Sequence, residues 1–362
     1  MNKISGKIIN YNETFSGEVL FDKYIKDINK IESSTYDQYI IPGFIDPHCH
    51  GAINHDTMQG LESIKKMADF HLSKGTTTLL PTTLTNSIKD TLQALDGFND
   101  LLLNDNNNIE GVHLEGPFIN PNKLGAQPPL TQKPNISFIK EIQKIAKVRT
   151  VTLAPELEGA DILIEYLAKN KINIQFGHSL ATDSCCKHFM SKHLVSFTHL
   201  YNAMSGNDHH NPGVVSAALE YAEYAEIICD LKHVAESSIK IAHKCIPKLY
   251  AVTDSIGATG MSNGLYRYGN LSVVKKDNIA TLKDSNTLAG SVMNMYETFL
   301  NLKKMQFSMQ EIVALTSYNA SQFLNEKKIG IIKSNYKSNF LILDNKLKLK
   351  EIYLNGINIL NN

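Results

Sequence analysis

Residues that could bind a metal ion stand at the ends of five apolar stretches in this 362-residue chain. Each stretch has the composition of a buried β-strand. In a (β/α)8 barrel the carboxyl ends of the strands meet at one mouth, so these residues would lie together although they are far apart in sequence. The pattern predicts a metal-dependent enzyme with ligands in five segments: Asp-Pro-His-Cys-His at 46–50, His-Leu-Glu-Gly-Pro at 113–117, Gly-His-Ser at 177–179, Thr-His-Leu at 198–200 and Val-Thr-Asp at 252–254.

The first segment offers two histidines. His48 and His50 stand at positions i and i+2 of a strand, so both imidazoles project from the same face. Neutral imidazole nitrogens suit divalent transition metals, and a pair on one face at a strand end predicts a metal site. Cys49 between them points to the opposite face and is expected to be a small buried apolar residue.

The other segments supply two carboxylates and two more histidines. Glu115 could ligate or bridge metals, although a glutamate in such a turn can also be merely solvated. A single histidine after a buried strand is usually structural, but His178 and His199 together favour ligation. Asp254 could bind a metal and also exchange a proton with water. His113 stays undecided between the two roles.

Strand-like and helix-like segments alternate from about residue 39, which provides the scaffold that these residues need. Alternation predicts a parallel sheet, and eight units predict closure into a (β/α)8 TIM-type barrel. An open doubly wound sheet is the rival, but no Gly-x-Gly-x-x-Gly follows the early strands. Asn135 and Asp161 are predicted helix N-caps, and Gly75 is predicted to end the first helix. The predicted strands span 39–46, 77–81, 109–114, 150–154, 172–177, 195–199, 226–230 and 249–254.

The two ends of the chain resemble each other, because both look like short strands separated by polar turns. We expect residues 1–41 and 331–362 to pair into one small β-sandwich domain. Residues 42–330 would then form the barrel. Residues 268–287 are interpreted as a hairpin inserted after the eighth strand.

Composition limits the partners and the compartment. Lys plus Arg equals Asp plus Glu at 36 each, so nothing predicts a polyanionic partner such as nucleic acid. The N-terminus lacks the apolar region of a signal peptide, and no apolar run reaches the roughly 18 residues of a membrane helix. Five cysteines without a Cys-x-x-Cys pair suit a reducing compartment. We expect a cytoplasmic protein that binds neither nucleic acid nor membrane.

Six motifs together resemble the N-acetylglucosamine-6-phosphate deacetylases of the amidohydrolase superfamily, over nearly the whole chain. The pair formed by the second and the fourth motif is highly specific for that family. The motifs are Pro-Gly-Phe-Ile-Asp-Pro-His-Cys-His-Gly (42–51), His-Leu-Glu-Gly-Pro-Phe (113–118), Gly-His-Ser (177–179), Thr-His-Leu-Tyr-Asn-Ala-Met (198–204), Val-Thr-Asp (252–254) and Leu-Ala-Gly-Ser (288–291).

The resemblance implies a role for each site residue. Glu115, His178 and His199 would hold the principal divalent ion, usually zinc, with Fe²⁺, Mn²⁺ or Co²⁺ as other options. His48 and His50 would support a second ion, since some members are binuclear and others mononuclear. The general base, and then general acid, would be Asp254. The implied substrate-binding residues are Ala126, Gln127, Asn202, Ala203, His210, His233, Leu288, Ala289 and Gly290.

The chain departs from the family pattern where the substrate phosphate is expected. The family places an arginine at the position of His210, often reaching the phosphate across a dimer interface. Arginine is always charged and binds phosphate through two parallel hydrogen bonds, whereas histidine is only partly protonated at pH 7. Leu231 stands where the family usually has glycine, and Lys232 could restore positive charge or be an exposed loop lysine. The family tendency is a homodimer, in which the loop 205–213 would reach the partner's site.

The predicted reaction is removal of acetate from N-acetylglucosamine 6-phosphate to give glucosamine 6-phosphate. N-acetylgalactosamine 6-phosphate or an unphosphorylated amino sugar is the alternative substrate. A cyclic amidase is disfavoured because the end of the fourth strand, 153–156, offers no lysine that could be carboxylated. A sugar-binding pseudoenzyme is disfavoured because the metal ligands and the base are all present.

Overall fold

The computed structural model describes residues 1–32, 37–103 and 107–360. Within these ranges the strands are β1 Asn2–Ile9, β2 Thr14–Phe21, β3 Ile25–Lys30, β4 Gln38–Pro42, β5 Phe44–Cys49, β6 Gly51–Ala52, β7 His55–Asp56, β8 Thr76–Thr83, β9 Val112–Glu115, β10 Val148–Leu153, β11 Asn173–Phe176, β12 Val195–Phe197, β13 Tyr224–Ile228, β14 Lys248–Val252, β15 Gly264–Tyr268, β16 Leu271–Lys276, β17 Ile279–Leu282, β18 Phe340–Asp344, β19 Leu349–Leu354 and β20 Ile357–Asn358. The helices are α1 Leu61–Leu72, α2 Ile88–Ala94, α3 Phe98–Leu102, α4 Ile136–Gln143, α5 Ala160–Lys169, α6 Asp183–Met190, α7 Val214–Tyr221, α8 Glu236–Cys245, α9 Met295–Lys304, α10 Met309–Val313 and α11 Asn319–Phe323.

Eight parallel strands form the scaffold of the site, and each overlaps a predicted strand. The first prediction, 39–46, merged two strands, because residues 39–42 belong to β4 in a separate sheet and β5 begins at Phe44. Six of the eight parallel strands pair in the order β12-β11-β10-β9-β8-β5, and β13 pairs with β14. Leu200 N donates to Glu226 O at 2.9 Å, which joins the end of β12 to β13. Asp254 N donates to His48 O at 2.9 Å, which joins the end of β14 to β5. The curled parallel array therefore fits a TIM-type barrel.

The helices begin and end largely where the sequence predicts. Helix α1 buries Ile64, Met67, Ala68 and Leu72, and Gly75 follows it with φ +91°, a conformation that glycine adopts without strain. Asn135 caps α4 by accepting from Ser137 N at 2.8 Å. The prediction for Asp161 is wrong, because α5 begins at Ala160 with Gly159 as N-cap. Asp161 lies in the first turn, where its charge still favours the helix dipole. None of the helices in the described ranges could cross a membrane.

The two ends of the chain pair, as predicted. Their described strands form a sheet of seven, in the order β20-β19-β18-β4-β1-β2-β3. Strand β18 runs antiparallel to β4 with Ile342 opposite Ile40, and β1 runs parallel to β4. Phe21, Phe340 and Ile8 pack in the apolar layer of this sheet. Its arrangement as a sandwich, and the boundaries after residue 41 and before residue 331, stay predictions.

The insertion after the eighth strand is larger than the predicted hairpin. Strands β15, β16 and β17 form an antiparallel sheet of three. The insertion therefore begins before residue 268, where the hairpin was predicted to start. Tyr268 is the last residue of β15 and is buried, so the insertion brings an aromatic side chain to the mouth of the parallel strands.

Candidate metal centre and active-site pocket

Glu115 ends strand β9 and lies between His178, which follows β11, and His199, which follows β12. Its Oε1 is 3.1 Å from His178 Nε2 and 2.9 Å from His199 Nε2, and the two Nε2 atoms are 3.0 Å apart. All three side chains are buried. One carboxylate oxygen and two imidazole nitrogens so close together form a set that could hold one divalent ion.

A second cluster lies against the other oxygen of Glu115. His50 Nε2 is 3.0 Å from Glu115 Oε2 and 3.2 Å from His48 Nε2. Asp254 Oδ1 is 3.4 Å from His48 Nε2 and 3.3 Å from His50 Nε2. His48, His50 and Asp254 could therefore hold a second ion, and Glu115 faces both positions with one oxygen each.

The outer nitrogens of three of these histidines have acceptors that fix the ring. His178 Nδ1 lies 2.8 Å from Lys123 O. His50 Nδ1 lies 3.1 Å from Thr82 O, and His48 Nδ1 lies 2.8 Å from Glu226 Oε2. A proton on Nδ1 can be donated to these oxygens, which leaves the Nε2 lone pair free to bind. The donor set thus fits a metal.

Four residues of the site have a backbone in the left-handed region. The φ angles are +48° for His178, +29° for His199, +50° for Ala203 and +48° for Asp254. Each such non-glycine residue costs of order 1 kcal/mol or more, and such strain clusters at functional sites. The strand ends thus turn sharply enough to aim these side chains into one cavity.

The charges of the site suit a cation. Burial alone would raise the pKa of Glu115, but the charges of His48 and His178 hold it well below its usual range. Burial would likewise raise the pKa of Asp254, whereas His48 and His50 lower it to about 2. Burial alone would lower the pKa of His50, but its hydrogen bonds to Asp254 and Glu115 raise it to about 9. Both carboxylates are therefore ionised at neutral pH and balanced by histidine protons, which a divalent cation would displace.

A pocket opens above the two clusters. Eight of the nine predicted substrate-binding residues line it, together with Glu115, His178, His199 and Asp254. His233 is held there by Asp230 Oδ2 at 2.7 Å from its Nδ1 and by Ala289 O at 2.7 Å from its Nε2. The eight are Ala126, Gln127, Asn202, Ala203, His233, Leu288, Ala289 and Gly290.

Two of the predicted substrate-binding residues have contacts that the sequence did not indicate. Gln127 donates through Nε2 to Glu115 Oε2, and its Oε1 accepts from Thr85 N at 2.7 Å. It is therefore held against a candidate metal ligand as well as facing the pocket. His210 is exposed, with its ring 4.0 Å from that of His209. The described chain does not bring His210 into its own pocket.

Sequence reasoning missed two residues of this site. Glu226 is fully buried in β13 and contacts both His48 Nδ1 and the backbone N of His199, at 2.8 and 3.1 Å. A lone charge inside an apolar strand was the signal for it. Tyr268 lines the pocket with its ring perpendicular to His50 at 5.7 Å. Its position depends on the inserted sheet, which leaves no local signal.

Leu231 is strained at the place where the resemblance expects glycine. Its φ is +62°, and the side chain is 39% exposed. Leu231→Gly is expected to raise the free energy of unfolding by about 1 kcal/mol, because glycine avoids the clash between Cβ and the following carbonyl oxygen. Urea denaturation measures this. Leu194 is also exposed but lies outside the left-handed region, so Leu194→Gly should lower the stability instead. Equal losses in both variants would contradict the prediction.

Comparison with known proteins identifies the family. The model of the amidohydrolase family matches residues 39–360. The N-acetylglucosamine-6-phosphate deacetylase of Bacillus subtilis is 33% identical over 331 residues, covering 88% of this chain and 81% of the relative. The enzyme of that name from Lysinibacillus sphaericus is 31% identical over 338 residues, covering 91% and 87%. The crystal structure of N-acetylglucosamine-6-phosphate deacetylase from Thermotoga maritima superimposes with a TM-score of 0.92 at 29% identity, covering 99% of each chain. The chain therefore belongs to the amidohydrolase family and, within it, to the N-acetylglucosamine-6-phosphate deacetylases.

Proposed function

We propose that this enzyme hydrolyses the acetamido group of N-acetylglucosamine 6-phosphate to give glucosamine 6-phosphate and acetate. The observation that carries the proposal is the cluster of Glu115, His178 and His199 beside Asp254 on the floor of one pocket. Two relatives that are more than 30% identical to this chain bear the name of this activity. The family and the chemistry of the site therefore agree.

The proposed cofactor is one or two divalent ions, with zinc as the first choice. Glu115, His178 and His199 would hold the principal ion, and His48, His50 and Asp254 the second. An ion bound there lowers the pKa of water and polarises the amide carbonyl. Imidazole and carboxylate donors accept several divalent metals, so Fe²⁺, Mn²⁺ and Co²⁺ fit the same site.

The chain's own residues would move the protons and hold the sugar. Asp254 takes a proton from the attacking water and then donates it to the leaving nitrogen. His233 is held in place by Asp230, and its Nε2 would leave Ala289 O to donate to the acetamido oxygen as negative charge develops there. The amide is a poor electrophile with a poor leaving group, so both kinds of help are needed. Ala126, Gln127, Asn202, Ala203 and 288–290 form the walls that orient the sugar.

The phosphate is proposed to reach His210 in a homodimer. His210 lies on an exposed part of the loop 205–213, so it is available to a partner chain. We further propose a small β-sandwich domain from residues 1–41 and 331–362 on a (β/α)8 barrel of residues 42–330. A cytoplasmic location completes the proposal, since all five cysteines are free, as in a reducing compartment.

Acetate release by the zinc-loaded protein tests the proposed function. We expect kcat/KM for N-acetylglucosamine 6-phosphate to exceed that for N-acetylglucosamine by up to about 100-fold, since charge-assisted hydrogen bonds to a phosphate contribute about 1.5–3 kcal/mol. N-acetylgalactosamine 6-phosphate is assayed beside them. Equal turnover of N-acetylglucosamine would mean that the enzyme does not recognise the phosphate. A preference for N-acetylgalactosamine 6-phosphate would mean that this sugar is the substrate. No acetate from any of the three, with metal bound, would overturn the proposed function.

A replacement at His210 tests the phosphate contact separately. His210→Ala is expected to raise KM for the phosphorylated sugar about 10-fold with little change for the free sugar, because it removes one hydrogen bond to a charged group. His188 is a histidine on helix α6, and His188→Ala serves as the matched control with unchanged KM. An unchanged KM in His210→Ala would mean that another group binds the phosphate.

A further inference from the structure

Glu226 contacts a residue of each candidate metal cluster from the side away from the pocket. Its Oε2 lies 2.8 Å from Nδ1 of His48, which belongs to the His48–His50–Asp254 cluster. The same atom accepts from the backbone N of His199 at 3.1 Å, and His199 belongs to the Glu115–His178–His199 cluster. One buried oxygen therefore touches a residue of each cluster.

Glu226 lies beside buried polar side chains from the neighbouring strands. Gln175 on β11 donates to Tyr250 Oη at 2.9 Å. Tyr250 on β14 is 3.0 Å from Ser196 Oγ on β12. All four side chains are 0% exposed and lie inside the ring of parallel strands. In this buried interior the two contacts of Glu226 Oε2, to His48 and His199, fix the position of the carboxylate.

The contact with His48 decides which nitrogen of that ring can bind a metal. A neutral imidazole carries one proton, and an acceptor at Nδ1 keeps the proton there. The lone pair then lies on Nε2, which is the nitrogen 3.4 Å from Asp254 Oδ1 and 3.2 Å from His50 Nε2. A carboxylate in this place therefore orients the ring and selects the tautomer.

We propose that Glu226 is a positioning residue that makes the His48–His50–Asp254 cluster competent to bind the second metal ion. The inference rests on the proposed metal-dependent function. The inference extends that function, because it makes the number of bound ions depend on Glu226, a residue that would contact neither the substrate nor a metal ion. His199 depends on Glu226 only through its backbone, while its Nε2 is still held by Glu115 and His178. The principal position should therefore survive the loss of Glu226.

Zinc titration of the metal-free full-length protein tests this inference. The zinc bound per chain is counted by inductively coupled plasma mass spectrometry after gel filtration, and the affinity of each zinc ion is measured by isothermal titration calorimetry. We expect two ions in the wild type. Glu226→Leu should keep the tighter ion and weaken the other about 10- to 100-fold, the usual effect of losing an outer partner of a metal-binding histidine. Glu226→Gln keeps a neutral acceptor but loses the charge, so it should weaken the second ion measurably, by less than Glu226→Leu does.

A matched control separates positioning from general damage to the barrel interior. Tyr250→Phe removes a hydroxyl from the buried polar side chains beside Glu226, but that hydroxyl contacts Gln175 and Ser196 and not a histidine. It should leave two zinc sites. The proposal is supported if the second zinc site is weakened in the Glu226 variants and unchanged in Tyr250→Phe.

Three results would overturn the inference. They are a wild type that binds one ion, a folded Glu226→Leu that binds two ions with wild-type affinity, and a Tyr250→Phe that loses the second ion equally. If Glu226→Leu does not fold, Glu226→Gln decides: weaker second binding supports the proposal, and equal binding overturns it. The titration contains no sugar, so a failure of the deacetylase assay leaves its outcome unchanged.

Discussion

Replacement of Asp254 by asparagine is expected to lower kcat for acetate release about 10³-fold, within the range that general acid–base catalysis contributes. The asparagine keeps the shape of the side chain and one oxygen, but it cannot take a proton from water or give one to the leaving nitrogen. Asp254 follows β14, lines the pocket and has its pKa lowered to about 2 by His48 and His50, so it is ionised at neutral pH.

The measurement pairs steady-state kinetics with zinc content. Asp254 is also a candidate ligand of the second ion, 3.3 Å from His50 Nε2, so the zinc count separates its two roles. A loss of kcat with all zinc retained supports proton transfer. A loss that follows the zinc content would show that ligation is the main role. More than a tenth of the wild-type kcat in the zinc-loaded variant would contradict both.

A neighbouring carboxylate provides the control for Asp254. Asp56 is buried and accepts from Met58 N at 2.8 Å and Gly269 N at 3.4 Å, and it does not line the active-site pocket. Asparagine keeps the acceptor for Met58 N and loses only the longer bond from Gly269 N, so Asp56→Asn should keep kcat within about 2-fold, as expected for a change that leaves transition-state contacts intact. A large loss in this variant would mean that carboxylates near the mouth act through their total charge.

The sequence predicted the parallel strands because two signals coincide in them. Each strand is an apolar run, and five of the runs end in residues that could ligate a metal. Glu115 ends its strand, and His178 and His199 each follow the last strand residue by two positions. The rule that carboxyl ends meet at one mouth was then enough to bring them together.

The inserted sheet shows where that reasoning fails. Strand β15 alternates only weakly, because Leu265 faces outward and is 57% exposed. Val274 on β16 is exposed as well, so apolar residues stand on both faces of the sheet. The alternation of apolar and polar residues that marks a half-buried strand is therefore weak in the sequence, and the predicted start of the insertion was wrong for this reason. Tyr268 lines the pocket because this sheet places it there, and the sequence did not predict it for the same reason.

Glu226 and His210 show two further limits of a single sequence. A lone glutamate in an apolar strand predicts a buried charge, but whether it faces the barrel interior depends on the register of β13. The structure supplies that register and, with it, the contacts to His48 and His199. His210 took its predicted role from the resemblance alone. Its exposed position gives no contact with the pocket of its own chain, because a contact between subunits is absent from the geometry of a single subunit.

Replacement of Glu115 by glutamine is expected to remove both metal ions and to lower kcat/KM by about 10⁴-fold or more, since the metal-assisted activation of water goes with them. Glu115 presents Oε1 to His178 and His199, and Oε2 to His50. Glutamine has one oxygen and one NH₂ group. Whichever way its amide turns, a donor faces one of the two clusters, and the buried negative charge is lost.

His50→Gln separates this effect from damage to the second position alone. His50 contacts only the Oε2 side of Glu115, so its loss should spare the principal ion. The zinc content should therefore fall from two to one in His50→Gln and to none in Glu115→Gln. Acetate release is measured on the same preparations, and His50→Gln should retain more activity than Glu115→Gln.

Thermal unfolding with and without zinc checks the same assignment in the absence of substrate. A ligand that binds only the folded state adds about 2.7 kcal/mol of stability at 100 times its Kd, so zinc should raise the Tm of the metal-free wild type. The rise should be smaller in His50→Gln and absent in Glu115→Gln, because Glu115 presents its carboxylate oxygens to both clusters. A full zinc-dependent rise in Glu115→Gln would mean that the histidines bind the ions without this carboxylate, and that Glu115 serves only to compensate their charge.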